Sequence, residues 1–215
     1  MFDRIVAFIG LITLSPFLIM TALVVVLTSK GPAFFLQERV GRHGRTFRIF
    51  KFRTMSVVTP SEENMQITVS GNMRITTVGG FLRRFKLDEI PQLINVLVGH
   101  MRLVGPRPEV QKYVDHYSET GLRTLDVKPG MTDVATLYYR NESDELAAQD
   151  DPETYYIEIL LPQKLSLNLG YLESRTFMSD LVVIVLTALV SVLPGGFSDR
   201  VRDGIKDRYL ESESA

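Results

Sequence analysis

Two apolar stretches frame this chain. From Ile5 to Leu27 run 23 consecutive residues without a charge, about 34 Å as a straight helix at 1.5 Å per residue, enough to cross a bilayer. The stretch exceeds the apolar core of a signal peptide and no A-x-A-like cleavage site follows, so it is expected to stay in the mature protein. Ser15-Pro16 sits near its centre. Proline removes a backbone donor and clashes with the preceding turn, which predicts a kink. In lipid the freed carbonyl needs a partner, and the Ser15 hydroxyl can supply it. A straight span would put Arg4 and Lys30 on opposite sides; a sharply bent, re-entrant helix would return both to one face. Hydropathy does not separate these, and a single span is the default. The second run, Leu181 to Leu193, is 13 residues long, too short to span, and reads as a core or interfacial helix.

Between them the periodicity changes. Phe34 to Leu36, a turn at Gly41-Arg42-His43-Gly44 and a return through Thr46 to Met55 predict a β-hairpin, with Phe50 and Phe52 on one face and Lys51 and Arg53 on the other. Residues 56–78 read as a loop. Gly79-Gly80 opens a short helix through Phe81, Leu82 and Phe85, and Leu93, Ile94, Val96 and Leu97 suit a short buried helix after Pro91. Gly99 to Pro108 reads as a loop and Lys128-Pro129-Gly130 as a turn. Residues 151–172 are helical in period, interrupted at Pro162 and Gly170. The charged tail after Pro194 is expected to fray. The expected class is mainly α with a small β-hairpin (α+β), divided into a membrane segment 1–30, one domain 31–195 and a charged tail 196–215.

Composition narrows the chemistry. There is no cysteine, so disulfides and thiolate metal sites are excluded. The net charge of −1 hides an asymmetry: residues 39–107 carry 12 Lys+Arg against 4 Asp+Glu, and residues 108–215 carry 10 against 19. A basic half beside an apolar N-terminus suits anionic headgroups or phosphorylated substrates. No nucleic-acid motif is present. His43, His100 and His116 lack metal-ligand spacing, and there is no Walker A loop, G-x-G-x-x-G or G-x-S-x-G.

The densest chemistry lies between Arg83 and Pro108. Asp88-Glu89 follow Arg83, Arg84 and Lys86 and precede Pro91, which places Asp88 at a helix N-terminus, where backbone N–H groups favour a carboxylate or a phosphate. A cap is the plain structural reading of Asp88; carboxylate, phosphate site and cations together are the material for phosphoryl transfer. Lys51, between two aromatics, is the hairpin cation best fixed toward a phosphate. Arg107, framed by Pro106 and Pro108, is restricted on both sides, which suits a pre-positioned donor fork or a structural turn.

Taken in order, the Ser15-Pro16 break, Gln37-Glu38-Arg39-Val40-Gly41, Phe50-Lys51-Phe52-Arg53-Thr54-Met55, Leu87-Asp88-Glu89-Ile90-Pro91-Gln92-Leu93, Asn95-Val96-Leu97 and Val104-Gly105-Pro106-Arg107-Pro108-Glu109 resemble the bacterial sugar transferase family, the small monotopic phosphoglycosyl transferases, almost end to end. The resemblance implies a re-entrant membrane helix hairpin with interfacial amphipathic helices and a compact catalytic domain at the cytoplasmic face of the bacterial inner membrane, replacing the plain span. It implies ping-pong transfer of a phosphosugar from a UDP-sugar to undecaprenyl phosphate with Mg²⁺ as cofactor, beginning a glycan. By it Asp88 corresponds to the nucleophile and metal-binding carboxylate, Glu89 to its partner, and Lys51, Arg83 and Arg107 to phosphate-holding residues, with Arg107 and its prolines toward the uridine. Where many relatives have Pro-Gly-x-Thr-Gly-x-Ala-Gln, this chain has Pro129 to Thr136 with Asp133 and Thr136 in place of Gly and Gln. The lack of a further bundle of spans matches the small members.

The chemistry accounts for those residue types. A diphosphate repels an anionic nucleophile, so Mg²⁺ and fixed cations must offset the charge. Nearby cations keep Asp88 ionised, and a covalent adduct lets UMP leave before the lipid phosphate arrives. Glu89 is expected to orient or hold metal more than to act as a base. The competing readings are a non-enzymatic membrane-anchored scaffold and a metal-dependent phosphohydrolase. The sugar is not specified, and oligomeric state, homodimer included, is open.

Overall fold

The N-terminal apolar stretch forms one helix, Phe2–Thr28 (α1), that runs unbroken over Pro16. Pro16 cannot donate to the Ile12 carbonyl, and the Ser15 hydroxyl donates to that oxygen instead at 2.8 Å, filling the bond that proline removes. The structure, a computed structural model, describes residues 1–56, 74–193 and 195–209. Most of the loop expected over 56–78, and the last six residues of the tail, lie outside the described residues.

α1 is fastened along its length. Near its start Arg4 donates to the Val98 carbonyl, Asp3 pairs with Arg102 and Asp3 accepts from the Leu103 amide. Ala7, Val6, Leu11 and Leu14 join the main core, while Val25, Leu18 and Ala22 pack on Phe52 and Leu82 in a second, smaller core. At its far end the buried Arg53 donates to the Val25 and Ser29 carbonyls and to the Ser29 hydroxyl, capping orphan helix carbonyls with a cation.

The hairpin is as the alternation predicts but longer on its first strand: Phe34–Val40 (β1) pairs antiparallel with Thr46–Phe52 (β2). Thr77–Arg84 (α2) follows, its Thr76 cap accepting from Gly79. Gly79 is required there, because a Cβ would fall 2.0 Å from the Thr54 carbonyl oxygen. The chain turns through Lys86, at φ 56, into a 3₁₀ segment Leu87–Gln92, then Leu93–Val98 (α3). The Asn95 side chain accepts from the Phe50 amide and donates to the Arg48 carbonyl, so α3 is pinned to the β2 edge as another strand would be.

The expected loop over Gly99–Pro108 instead contains a strand. Arg102–Val104 (β3) pairs in parallel with Gly130–Thr132 (β4), where the expected turn at Lys128-Pro129-Gly130 ends. Gly105 and Gly130 let the two backbones meet; a Cβ on Gly130 would fall 2.1 Å from the Gly105 nitrogen. Between these strands lie Gln111–Val114 (α4) and Glu119–Leu122 (α5), and after them Val134–Tyr138 (α6) and Glu142–Ala147 (α7).

The period over 151–172 is one long helix, Pro152–Tyr155 (α8) and Leu161–Glu173 (α9) joined by a π-helical turn at Tyr156–Leu160. Pro162 follows the π turn and lacks the N–H that a regular ladder would use there. Phe177–Val192 (α10) buries Val183 and Val190 and exposes Phe177, Met178, Val182, Val185, Leu189 and Val192. The stretch expected to fray is a helix, Gly195–Tyr209 (α11), whose Ile205 and Tyr209 enter the main core. Among the described residues the architecture is thus mainly helical with two small sheets.

The outer face of α1 is equally bare: Ile5, Phe8, Ile9, Ile12, Ile19, Met20, Leu23 and Leu27 are exposed. Phe2 and Phe177 meet edge-on at 5.1 Å, so the exposed faces of α1 and α10 adjoin. An apolar surface of that extent marks a membrane or partner contact.

Candidate active site

The 3₁₀ segment sets the site. Leu87 packs into the small core and Ile90 into the large one, which turns the carboxylates of Asp88 and Glu89 toward a cleft of about 610 Å³. β2 carries Lys51 to it on the same face as the buried Ile49, and α2 carries Arg83. Arg107 arrives from the other side. Its position follows from the β3–β4 pair: Gly130 donates to the Pro106 carbonyl and Gly105 to the Thr132 carbonyl. Asp133 then accepts from the Arg107 amide at 2.8 Å, from the Asn168 side chain, and from the Thr136 amide as the cap of α6. Asp133, a departure from the resembled motif, thus holds the arginine's backbone, while Thr136 lines the cleft.

Glu89 is clamped. Lys51 donates to its Oε1 at 2.8 Å, and Arg107 donates to Oε2 and Oε1 at 3.2 and 2.5 Å. Burial alone would raise the Glu89 carboxyl, but Arg107 and Lys51 outweigh it and hold the group well below its usual range. Burial pulls Lys51 down to about 8 against the pull of Glu89. Asp88 goes the other way: burial, then the neighbouring Glu89 charge, raise it against Lys51, Lys86 and Arg83. Its Oδ1 is buried without a hydrogen-bond partner among the described residues. Two adjacent carboxylates are thus driven apart, one held as an anion by its cations and one raised by burial.

Eight cations line the cleft, and they fall into two sets. Lys51 and Arg107 are held by Glu89, Arg39 by Glu109, and Lys164 by Glu142. Arg83, Arg84, Lys86 and Arg140 carry no ion pair among the described residues; Arg83 Nε bonds the Thr54 hydroxyl at 2.8 Å. An incoming anion can pair with any of these without displacing a carboxylate of the described residues. Lys51 and Arg107, read from sequence as phosphate holders, act on Glu89 here.

Five residues that sequence reading left without a role form the cleft's far wall. Glu109 accepts from the Tyr156 hydroxyl at 2.7 Å and from Arg39, and Lys164 donates to Glu142 and to the Tyr156 hydroxyl. Glu109 directly follows the Pro106-Arg107-Pro108 turn, and Arg39 also bonds the Pro108 carbonyl, so this buried group fixes the turn that carries Arg107. Asp88, Glu89, Lys51, Arg83 and Arg107 thus share one cleft. Pro106 and Pro108 act through backbone carbonyls beside it, and Ser15-Pro16 lies in α1.

The sequence profile of the family described as bacterial sugar transferase matches residues 1–194. The chain belongs to that family. Among its relatives, a UDP-glucose:undecaprenyl-phosphate glucose-1-phosphate transferase of Xanthomonas campestris pv. campestris is 37% identical over 191 residues, covering 87% of this chain and 37% of the relative. A UDP-N-acetylgalactosamine-undecaprenyl-phosphate N-acetylgalactosaminephosphotransferase of Aeromonas hydrophila is 37% identical over 161 residues, 73% of this chain and 38% of the relative. An uncharacterized sugar transferase of Bacillus subtilis (strain 168), EpsL, is 35% identical, with 87% of this chain and 83% of the relative covered. The chain therefore spans well under half the length of the first two.

Proposed function

We propose that this sugar transferase moves a sugar phosphate from a UDP-sugar to undecaprenyl phosphate, releasing UMP and beginning a bacterial glycan. The observation that carries the reading is Asp88: a buried carboxylate with one oxygen unpartnered among the described residues, beside a clamped Glu89 and the Arg83 guanidinium. In the first half-reaction an Asp88 oxygen attacks the β-phosphorus, and the bond to the bridging oxygen breaks with its electron pair leaving on UMP. In the second, a phosphate oxygen of the lipid attacks the same phosphorus, and the bond to Asp88 breaks to restore the carboxylate. No net proton moves, so no strong base is needed. A Glu89 carboxyl held low by Arg107 and Lys51 suits anchoring the dyad.

The donor set fits Mg²⁺. Among the described residues Asp88 offers a hard, unpartnered oxygen, and no group of three or more His, Asp or Glu forms a cage. Mg²⁺ is held through one or two carboxylates plus substrate phosphates and water, so Asp88 and the diphosphate would hold it, and it would offset the diphosphate charge.

The same reading extends to the membrane. Both ends of α1 are tied to one domain, at Val98 to Leu103 and at Arg53, which supports a helix that enters and leaves the lipid on one face, the cytoplasmic face of the inner membrane. The exposed face of α10 adds to the buried surface. A prenyl phosphate stays at headgroup depth, so a cleft held at that depth meets it. The relatives' names cover glucose and N-acetylgalactosamine, so the donor is a UDP-hexose of open identity. A UMP-release screen across UDP-sugars with Mg²⁺ and undecaprenyl phosphate tests the function; release of free sugar phosphate without lipid would favour a hydrolase, and no UMP from any donor would favour a scaffold.

A further inference from the structure

Helix α2 presents three different faces. At about 100° per residue, Val78 and Leu82 point to α1 and Phe52, where both pack in the small core. Gly80, Arg83 and Arg84 point to the cleft, which all three line. Phe81 and Phe85 fall between these faces. Their rings touch at 5.0 Å, and Phe81 is 58% exposed. Going round the helix, the order is therefore apolar α1 contact, aromatic pair, then cations.

Arg84 is the distinctive cation of that rim. It is exposed and lines the cleft; among the described residues its guanidinium is in no ion pair and lies 5.7 Å from the centre of the Phe85 ring. Arg83, one residue earlier, is tethered to Thr54 and lies deeper, where Asp88 acts on it. A ligand fitting both sides of this rim has a monophosphate head and an apolar tail. The head would meet Arg84 on its way to Arg83 and Asp88, and the tail would run over Phe81 and Phe85 toward the exposed apolar surface of α1.

We propose that the Phe81–Arg84 rim of α2 is the recognition site for the polyprenyl phosphate acceptor. Arg84 meets the phosphate, and the Phe81–Phe85 pair carries the first isoprene units. This rests on the transfer reading above and adds where the second substrate comes in. A ping-pong enzyme allows the two substrates to be separated, since UMP formed without acceptor reports the donor half-reaction alone.

The test uses the full chain in nanodiscs with the UDP-sugar found by the screen, comparing Arg84→Gln and Phe81→Ser with the parent. The expected result is a rise of about tenfold in KM for undecaprenyl phosphate in each variant, with a far smaller change in the acceptor-free UMP burst. An unchanged acceptor KM, or a burst reduced as much as the acceptor step, would overturn the proposal. Sedimentation with anionic vesicles lacking prenyl phosphate separates a headgroup contact from acceptor recognition. Equal binding by parent and variants supports recognition; binding lost in step with activity makes the rim a general lipid contact and overturns the proposal. If the parent protein gives no UMP burst, it is the transfer reading that fails.

Discussion

Arg107 grips Glu89 with two guanidinium nitrogens, at 3.2 and 2.5 Å, while Lys51 takes the same carboxylate from the β2 side at 2.8 Å. One anion thus joins the hairpin, the 3₁₀ segment and the Pro106-Arg107-Pro108 turn, while its neighbour Asp88 is in no ion pair among the described residues.

Glu89→Gln removes the charge on which two buried cations converge. Breaking one side of a buried pair costs on the order of 3 kcal/mol, to be read from urea denaturation. Because Glu89 orders the whole site, adduct formation and transfer to lipid should fall together. Normal adduct formation with transfer alone abolished would make Glu89 a base for the second step.

Lys51 supplies a pH signature. Burial lowers its ammonium to about 8, so it is a cation below that pH and loses its proton as pH rises through it. A lowered lysine value means that the fold favours the neutral amine, so the alkaline loss is one of activity and not of stability. Turnover should decline above about pH 8, and Lys51→Arg, which keeps its charge, should move that limb up by at least about one pH unit. The same limb in both proteins would remove Lys51 from the acid–base profile.

Asp133→Gly puts in the glycine of the resembled motif, yet it should harm this chain. It removes the α6 cap and the acceptor for the Arg107 amide and Asn168, a loss on the order of 2 kcal/mol, measurable by thermal unfolding. KM for the UDP-sugar should rise as Arg107 loosens. Unchanged stability and KM would mean that the turn is held by the β3–β4 pair alone.

What could be read in the sequence was local. The hairpin alternation, the Ser15 hydroxyl beside Pro16 and the carboxylates at the start of a helical turn each depend on neighbours within a few residues. What was hidden depends on distant partners. Strands of three residues, Arg102–Val104 and Gly130–Thr132, are too short for a period to show. Ile205 and Tyr209 are two apolar side chains in a charged stretch, and only the folded core gives them a place. The division of cleft cations into held and unpaired sets needs Glu89, Glu109 and Glu142 brought to Lys51, Arg107, Arg39 and Lys164 across the chain. Asp133 stood out in the sequence as a departure from the resembled motif, and its place three residues before Thr136 has the spacing of a cap, a role that was legible there.

The disposition of α1 has a direct check. The chain has no cysteine, so Phe2→Cys and Lys30→Cys each carry a single thiol. In sealed inner-membrane vesicles of known orientation, a membrane-impermeant maleimide should label both from the cytoplasmic face. Labelling from opposite faces would make α1 a plain span and would separate one of its ends from the domain.

The central claim is that Asp88 transiently carries the sugar phosphate. Intact-mass analysis of protein quenched after mixing with UDP-sugar and Mg²⁺, in the absence of lipid acceptor, measures it. The account predicts a species heavier by one sugar phosphate, equal in amount to the UMP released, lost on addition of undecaprenyl phosphate and absent in Asp88→Asn. Turnover with the mass unchanged at every quench time, or the same adduct in Asp88→Asn, would contradict it.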